Sequence, residues 1–398
     1  MSDDENENHT AQLPFEVLCK IFDNLDVSSV KNCSRACRRW SEVIFSDYYI
    51  KRFKLRISVP QPFGLLQSEN VLSPGVALTR SDRFYRHLEL ELNQLRDDRS
   101  KKIVFDIMYN ILRYPKVEQL VSIKLTISLP DEIVRWLTDG IKTMKMLREL
   151  NIVRRTTNSQ DHKLTIQSNS LQQLVLNNII PRAIVTPKLS SLVVHRHSSE
   201  LYTHRFANLK KLTLNRSSTH NSTDNNAVEK QIIFYHRLNT LETLTLNGSS
   251  VPGYLFKTIC EQCRTLTELS IDSMCFYDNH TMEALSNLCN LRHLTFKKIT
   301  AVTPVSFQSI ALPKLESIGL GSFRTIRTDT LKAFSSATKL ILHGVHNSED
   351  LIIAIATYMP KLREVNYTAD SVMVLSYVHF FNEQCIFDVD PRGPNFIS

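Results

Sequence analysis

Glycine is almost missing from this chain, with 9 residues in 398, about 2 % where ordinary proteins carry about 7 %. Enzymes that cradle phosphate on glycine loops are therefore disfavoured. There is no G-x-x-x-x-G-K-[ST], and Gly319 with Gly321 supplies two glycines of a G-x-G-x-x-G pattern without the third. Neither G-x-S-x-G nor H-E-x-x-H occurs, so no intrinsic catalysis and no cofactor are expected. Cysteine is sparse too, at 8 residues, which suits thiols in a reducing compartment rather than a disulfide scaffold. Cys260 and Cys263 form one C-x-x-C pair without the second pair a structural zinc needs, so no metal is expected.

Long apolar runs are also lacking. The longest candidate, Leu351 to Met359, falls short of the roughly 18 residues a membrane helix requires, and no membrane partner is expected. The opening MSDDENENHT is acidic and polar, without the basic-then-apolar order of an export signal. The expected location is the cytoplasm, the nucleus or both. The glycosylation-type triplets at Asn221, Asn247 and Asn366 then carry no weight.

What is present is an ordinary globular balance, 42 % hydrophobic and 22 % charged, with a net charge of +8. The basic residues cluster at Arg38-Arg39, at Lys51-Arg52 with Lys54 and Arg56, and at Arg154-Arg155. None of these clusters is interleaved with stacking aromatics, so they read as solvated faces and no nucleic-acid partner is expected.

One phrase recurs from residue 120 onward: leucine, two residues, leucine or isoleucine, one residue, another apolar. Full copies begin at Leu147, Leu171, Leu189, Leu209, Leu241, Leu266, Leu291, Leu315 and Leu362. Weaker copies stand at Leu120, at Leu88 with Leu90, and at Leu340 with Leu342, about twelve in all. The steps from 241 to 315 are 25, 25 and 24 residues, within the range of roughly 20 to 29 of leucine-rich repeats. The apolar pair closing each phrase has the period of a strand. Stretches between phrases, such as Thr281 to Leu288 and Asp350 to Met359, have the spacing of helices. Stacked side by side, such units bury a continuous core in a curved α/β horseshoe with parallel strands inside and helices outside. Two steps are irregular, 171 to 189 and 209 to 241, and the second holds the polar stretch Arg216 to Asn226. The phrase around Cys263, Cys275 and Cys289 resembles the cysteine-containing class of these repeats, which implies small buried positions for those residues.

Residues 13 to 57 read as three short helices. Pro14 and Glu16 open the first, with Val17, Leu18, Ile21, Phe22 and Leu25 apolar, and Asp26 or Ser28 caps the next. Val30, Cys33, Cys37 and Trp40 recur at helical spacing, and Ile44, Phe45, Tyr48 and Phe53 follow. So small a module buries little surface alone and carries more apolar groups than its own core needs, which suits either docking to a partner or packing as a cap on the repeats. The stretch LPFEVLCKIFDNLDVSSVKNCSRACRRWSEVI resembles an F-box. The resemblance implies that Leu13, Pro14, Glu16, Val17, Leu18, Ile21, Phe22 and Leu25 bind a Skp-type adaptor, with Cys37, Trp40 and Ile44 in the F-box core.

An F-box followed by leucine-rich repeats resembles the substrate receptors of SCF-type ubiquitin ligases, in which the adaptor leads to a cullin and a RING subunit. The alternative is a repeat scaffold that binds proteins outside a ligase. The expected organisation is an acidic disordered tail at 1–12, the F-box at 13–57, a linker and start of a cap at 58–83, repeats at 84–368, and a C-terminal cap and tail at 369–398. Polar residues flanking the inward apolar ones should form the binding wall, with four lysines against six acids. Within it Thr213, Asn215, Thr245, Asn247, Ser270, Asp272, His293, Thr295 and Lys297 are the candidates for contact with a protein substrate.

Overall fold

Each leucine phrase becomes one strand. The computed structural model describes residues 13–50, 53–59, 85–92, 98–112, 117–127, 131–154, 164–179, 181–197, 199–217, 225–276, 280–301, 307, 309–321, 328–343, 349–368 and 386–390. Fourteen strands run parallel to their neighbours, and the chain divides into two compact units.

The first unit holds Met1–Gln172 and Pro181–Thr186. It opens with four helices, α1 (Phe15–Asp23), α2 (Val27–Cys33), α3 (Arg38–Ile44) and α4 (Asp47–Ile50). The helical spacing from Val30 to Trp40 is therefore two helices rather than one. Cys37 is extended, with φ −156°, and its sulfur accepts the amide of Trp40 at 3.4 Å, so it caps α3. Asp26 caps α2 through Ser29 N at 2.9 Å.

Strand β1 (Lys54–Val59) follows directly and pairs in parallel with β2 (His87–Leu92), β2 with β3 (Ser122–Ile127), and β3 with β4 (Glu149–Arg154). The sheet thus begins at Lys54, within the stretch read as the end of the F-box. Helices α5 (Asp98–Leu112) and α6 (Asp131–Thr143) return the chain between strands. A separate parallel pair, β5 (Thr165–Gln167) with β7 (Ala183–Val185), stands where helices would otherwise be. The 18-residue step from Leu171 to Leu189, which holds β7, leaves little chain for a helical return.

The second unit holds Gln173–Ile180 and Pro187–Ser398. Its strands are β6 (Gln173–Asn177), β8 (Ser191–His197), β9 (Lys211–Ser217), β10 (Thr243–Pro252), β11 (Glu268–Phe276), β12 (His293–Ala301), β13 (Ser317–Gly321), β14 (Lys339–His343), β15 (Glu364–Thr368) and β16 (Ile386–Asp390). They pair in that order. Helices α7 (Asn225–His236), α8 (Gly253–Gln262), α9 (His280–Glu283) and α10 (Glu349–Tyr358) lie between them in sequence. The twelve phrases correspond to β2 to β4, β6, and β8 to β15. Of the proposed tail, linker and C-terminal cap, residues 1–12, 60–84, 369–385 and 391–398 lie outside the described residues.

Inward positions alternate as period two requires: Leu88, Leu90 and Leu92 are buried in β2, and Leu244, Leu269, Ile271 and Ile318 are fully buried. Burying a leucine or isoleucine stabilises by about 1.5–3 kcal/mol relative to leaving it exposed. A second periodic device ties one repeat to the next, because the residue before the leading leucine donates backward. Ser170 Oγ reaches Leu147 O at 2.9 Å, Thr240 Oγ1 reaches Leu209 O at 3.0 Å and Thr265 Oγ1 reaches Leu241 O at 2.7 Å. Asn208 Nδ2 does the same to Pro187 O at 2.8 Å.

The cysteines divide by position. Cys260 and Cys263 are buried among apolar side chains, which pushes both thiols up, Cys263 to about 12. Cys275 is only half-buried, and Cys289 is exposed because it falls in the turn before β12 rather than on its inward face. This corrects the buried positions expected for those two. Among the described residues no group of three His, Cys, Asp or Glu stands together as metal ligands.

Two outcomes follow from the packing and the pairing of the sheet. At Gly321 a methyl would collide with the carbonyl of Lys297 and stand 3.0 Å from that of His343, whereas at Gly319 it meets only the Thr295 side chain, at 2.9 Å. Gly321→Ala should cost about 1–3 kcal/mol and Gly319→Ala less, read as the shift in a chemical denaturation midpoint. In the first unit Glu89 accepts from Lys124 at 2.8 Å and faces Lys54 at 3.6 Å, which holds its carboxyl below 4.5. Its contribution to stability is full above pH 4.5 and is lost as pH falls through the depressed value. Glu89→Gln should therefore flatten the dependence of stability on pH below 4.5, measured by denaturation at a series of pH values.

Candidate functional site

The first candidate surface is made by α1. Pro14 precedes the helix, its carbonyl accepting from Val17 N and Leu18 N at 3.1 Å, and Glu16 sits in the first turn near the positive helix end. The helix carries two apolar stripes. Leu18 and Phe22 are fully buried, with Leu25 packed beside them, in a core shared with Val30, Ile44, Tyr49 and Ile50. Phe22 meets Trp40 edge-on at 5.4 Å and Tyr49 at 5.9 Å. The Tyr49 hydroxyl donates to Cys19 O and lies 3.1 Å from Asp23 Oδ1, and burial with these contacts raises its pKa.

The other stripe faces solvent: Val17 is 39 % exposed and Ile21 38 %, with Pro14 and Glu16 also exposed. Phe15, on another face of α1, and Val27 of α2 are each 41 % exposed and were not singled out from sequence. Leu13 is half-buried against the core, and its carbonyl accepts from Arg39 Nη2 at 2.7 Å, fixing the approach to α1. Leu18 and Phe22 thus support the exposed stripe from beneath. Trp40 and Ile44 lie in or against the same core, while Cys37 acts as a cap.

The second candidate surface lies wholly in the second unit. The registers of β6, β8, β9 and β10 bring Asn177, His195, Asn215 and Asn247 into one row, which Asp272 of β11 continues. They line an open pocket of about 460 Å³, together with Asn178, Arg196 and Gly248, a volume within the usual ligand range. Asn247 Nδ2 donates to Asn215 Oδ1 at 2.7 Å, and Asn215 Nδ2 lies 3.1 Å from His195 Nδ1. An imidazole nitrogen that accepts from a carboxamide belongs to the neutral ring. Burial also holds the His195 pKa below 6.5. Asp272 takes the Gly248 amide at 3.0 Å and Lys297 at 3.2 Å.

Of the candidates for substrate contact, Asn215, Asn247 and Asp272 line this pocket and Lys297 supports it. Thr213, Thr245, Ser270 and Thr295 form the neighbouring row of short side chains. His293 stands at the start of β12, opposite Glu268 and away from the pocket lining. Asn178, Arg196 and Gly248 were missed because strand alternation puts consecutive residues on opposite faces. Here φ is 58°, 59° and 73° at these residues, and the left-handed backbone lets two consecutive residues line one pocket. Asparagine and glycine tolerate it, whereas at Arg196 it costs about 1–2 kcal/mol. No motif in the sequence marks that strain.

Residues 10–56 match the family model described as F-box-like. No curated protein sequence matches the chain. Among solved structures, an internalin (inlF) from Listeria monocytogenes is 14 % identical, with 72 % of this chain and 81 % of that chain covered and a TM-score of 0.36. The Rad7 and Elc1 complex of yeast is 12 % identical over 95 % of this chain and 92 % of that one, with a TM-score of 0.39. A TLR13 complex with ssRNA13 is 13 % identical over 72 % and 50 %, with a TM-score of 0.34.

The pocket's polar network sets a measurable titration. The His195 ring should titrate below 6.5 by NMR, and Asn215→Asp, which places a carboxylate beside it, should move the midpoint upward. Residues 10–56 form an F-box-like domain, and a sheet of parallel strands follows it, twelve of them each carrying one copy of the leucine phrase.

Proposed function

We propose that this chain is the substrate-recognition subunit of an SCF-type ubiquitin ligase. The F-box-like domain docks a Skp-type adaptor, and the polar face of the second unit holds the protein target. The observation that carries this reading is the second apolar stripe of α1. Val17 and Ile21 are exposed although the same helix already fills its core with Leu18 and Phe22. A surface helix that keeps an unburied apolar stripe is suited to a helix-in-groove contact with another protein.

The role is non-catalytic. Through the adaptor, a cullin and a RING subunit bring the ubiquitin-charged enzyme near a target held on the repeats, so that its lysines react at high effective concentration. Such a receptor works in the cytoplasm or nucleus, where its thiols stay reduced.

The test is co-purification of the full chain with a Skp-type adaptor. Leu13→Ala with Pro14→Ala, and separately Val17→Glu with Ile21→Glu, should each lower adaptor recovery by tenfold or more, on the order of what losing buried apolar contacts costs. The second pair alters only exposed positions, so its thermal unfolding should stay close to that of the parent. Undiminished recovery in both variants would remove the docking assignment and leave a repeat scaffold acting outside a ligase.

A further inference from the structure

The pocket on the second unit has an unusual balance of charge. Its carboxamides are neutral, its imidazole lies against the Asn215 carboxamide, and its one acid, Asp272, is already engaged by Lys297 and the Gly248 amide. Arg196 is the cation in the lining, it is exposed, and it makes no ion pair among the described residues. It is held there by a left-handed backbone that arginine rarely adopts.

We propose that this pocket takes an acidic peptide segment, with a single carboxylate against Arg196 and the flanking peptide groups on the carboxamides of the Asn177, Asn215 and Asn247 row. The proposal rests on the reading of the chain as a substrate receptor and names the chemistry of what it receives. A guanidinium offers a planar pair of donors matched to a carboxylate. A carboxamide presents one acceptor and two donors, the complement of a peptide unit. Beside this row, Thr213, Thr245, Ser270 and Thr295 are short, which leaves room for an extended chain to lie across the strands. A phosphate dianion is matched less well, because recognising one favours several arginine forks or cations. Lys297, next along the sheet, is spent on Asp272.

The carboxylate can come from an Asp or Glu side chain or from the end of a polypeptide, and the experiment separates these. The full chain, co-purified with a Skp-type adaptor, is presented with pools of heptapeptides whose flanks are random but neutral. One pool is centred on Glu and amidated, one on Gln and amidated, one on Gln with a free C-terminus, and one on phosphoserine and amidated. Retention is read by mass spectrometry.

Either the Glu pool or the free-terminus pool should be retained about tenfold over the neutral amidated pool, the scale of one charge-assisted contact. The pool that wins identifies the source of the carboxylate. R196Q should abolish that preference and R196K keep part of it. N215A with N247A should lower retention of every pool. Equal retention of charged and neutral pools, or a preference unchanged in R196Q, would overturn the proposal. A phosphoserine pool that outdoes the others through Arg196 would overturn it in favour of phosphate. Adaptor recovered with each variant shows that the receptor reading stands or falls separately.

Discussion

No strand of this sheet can satisfy its own backbone, and the hydrogen bonds between one repeat and the next organise the rest. A parallel pair cannot be closed by a tight turn and needs a crossover of a dozen or more residues, and the repeat length supplies it. Along the second unit the link recurs almost unchanged: Glu242 N to Lys210 O, Thr267 N to Glu242 O, Arg292 N to Thr267 O and Glu316 N to Arg292 O, each 2.8 Å. Side chains then follow the backbone into rows separated by the strand spacing of about 4.8 Å. Residues far apart in sequence, such as Asn215 and Asn247, meet for that reason alone. The hydroxyls of Ser170, Thr240 and Thr265 add a side-chain bond to the same joint.

This constraint explains which parts of the fold the sequence disclosed. A leucine that must point inward in every repeat leaves a written period, so β2 to β4, β6 and β8 to β15 were legible. Strands β1 and β16 were not, because Arg52 and Gln384 occupy the place of the leading leucine, while Leu55, Ile57, Phe387 and Val389 still pair in register. The pair β5 and β7 escaped notice because three residues are too few to show a period. The break between α2 and α3 was hidden by apolar spacing that runs straight through it. A turn at Ser34, Arg35 and Ala36 and the extended backbone at Cys37 divide the two helices.

The two candidate surfaces were legible to different degrees, for different physical reasons. On α1 both stripes are apolar, so composition marks the helix but cannot say which stripe faces inward. Tertiary packing decides it, through Trp40 and Tyr49 edge-on against Phe22. The exposed stripe is then defined by exclusion, and Phe15 and Val27 are exposed apolar residues outside the expected set. On the sheet, alternation located Asn215, Asn247 and Asp272 on the polar face. It could not locate Asn178, Arg196 and Gly248, whose positive φ breaks the alternation the prediction depends on.

Counting charges along the wall also misleads without the pairing. Four lysines against six acids suggests a mildly acidic surface, yet much of that charge is spent internally. Lys54 and Lys124 converge on Glu89, Lys339 meets Glu364 at 2.7 Å, and Lys297 meets Asp272 at 3.2 Å. Each of these pairs is formed between neighbouring strands, so the interaction that aligns the repeats also neutralises the face they present. Such exposed pairs add little stability one by one, but they remove the field that would attract a highly charged partner. What stays available is directional: amide donors and acceptors held at fixed spacing by the strands. Where most charge is cancelled, the Arg196 guanidinium, which makes no ion pair among the described residues, carries more discrimination than it would in a basic patch.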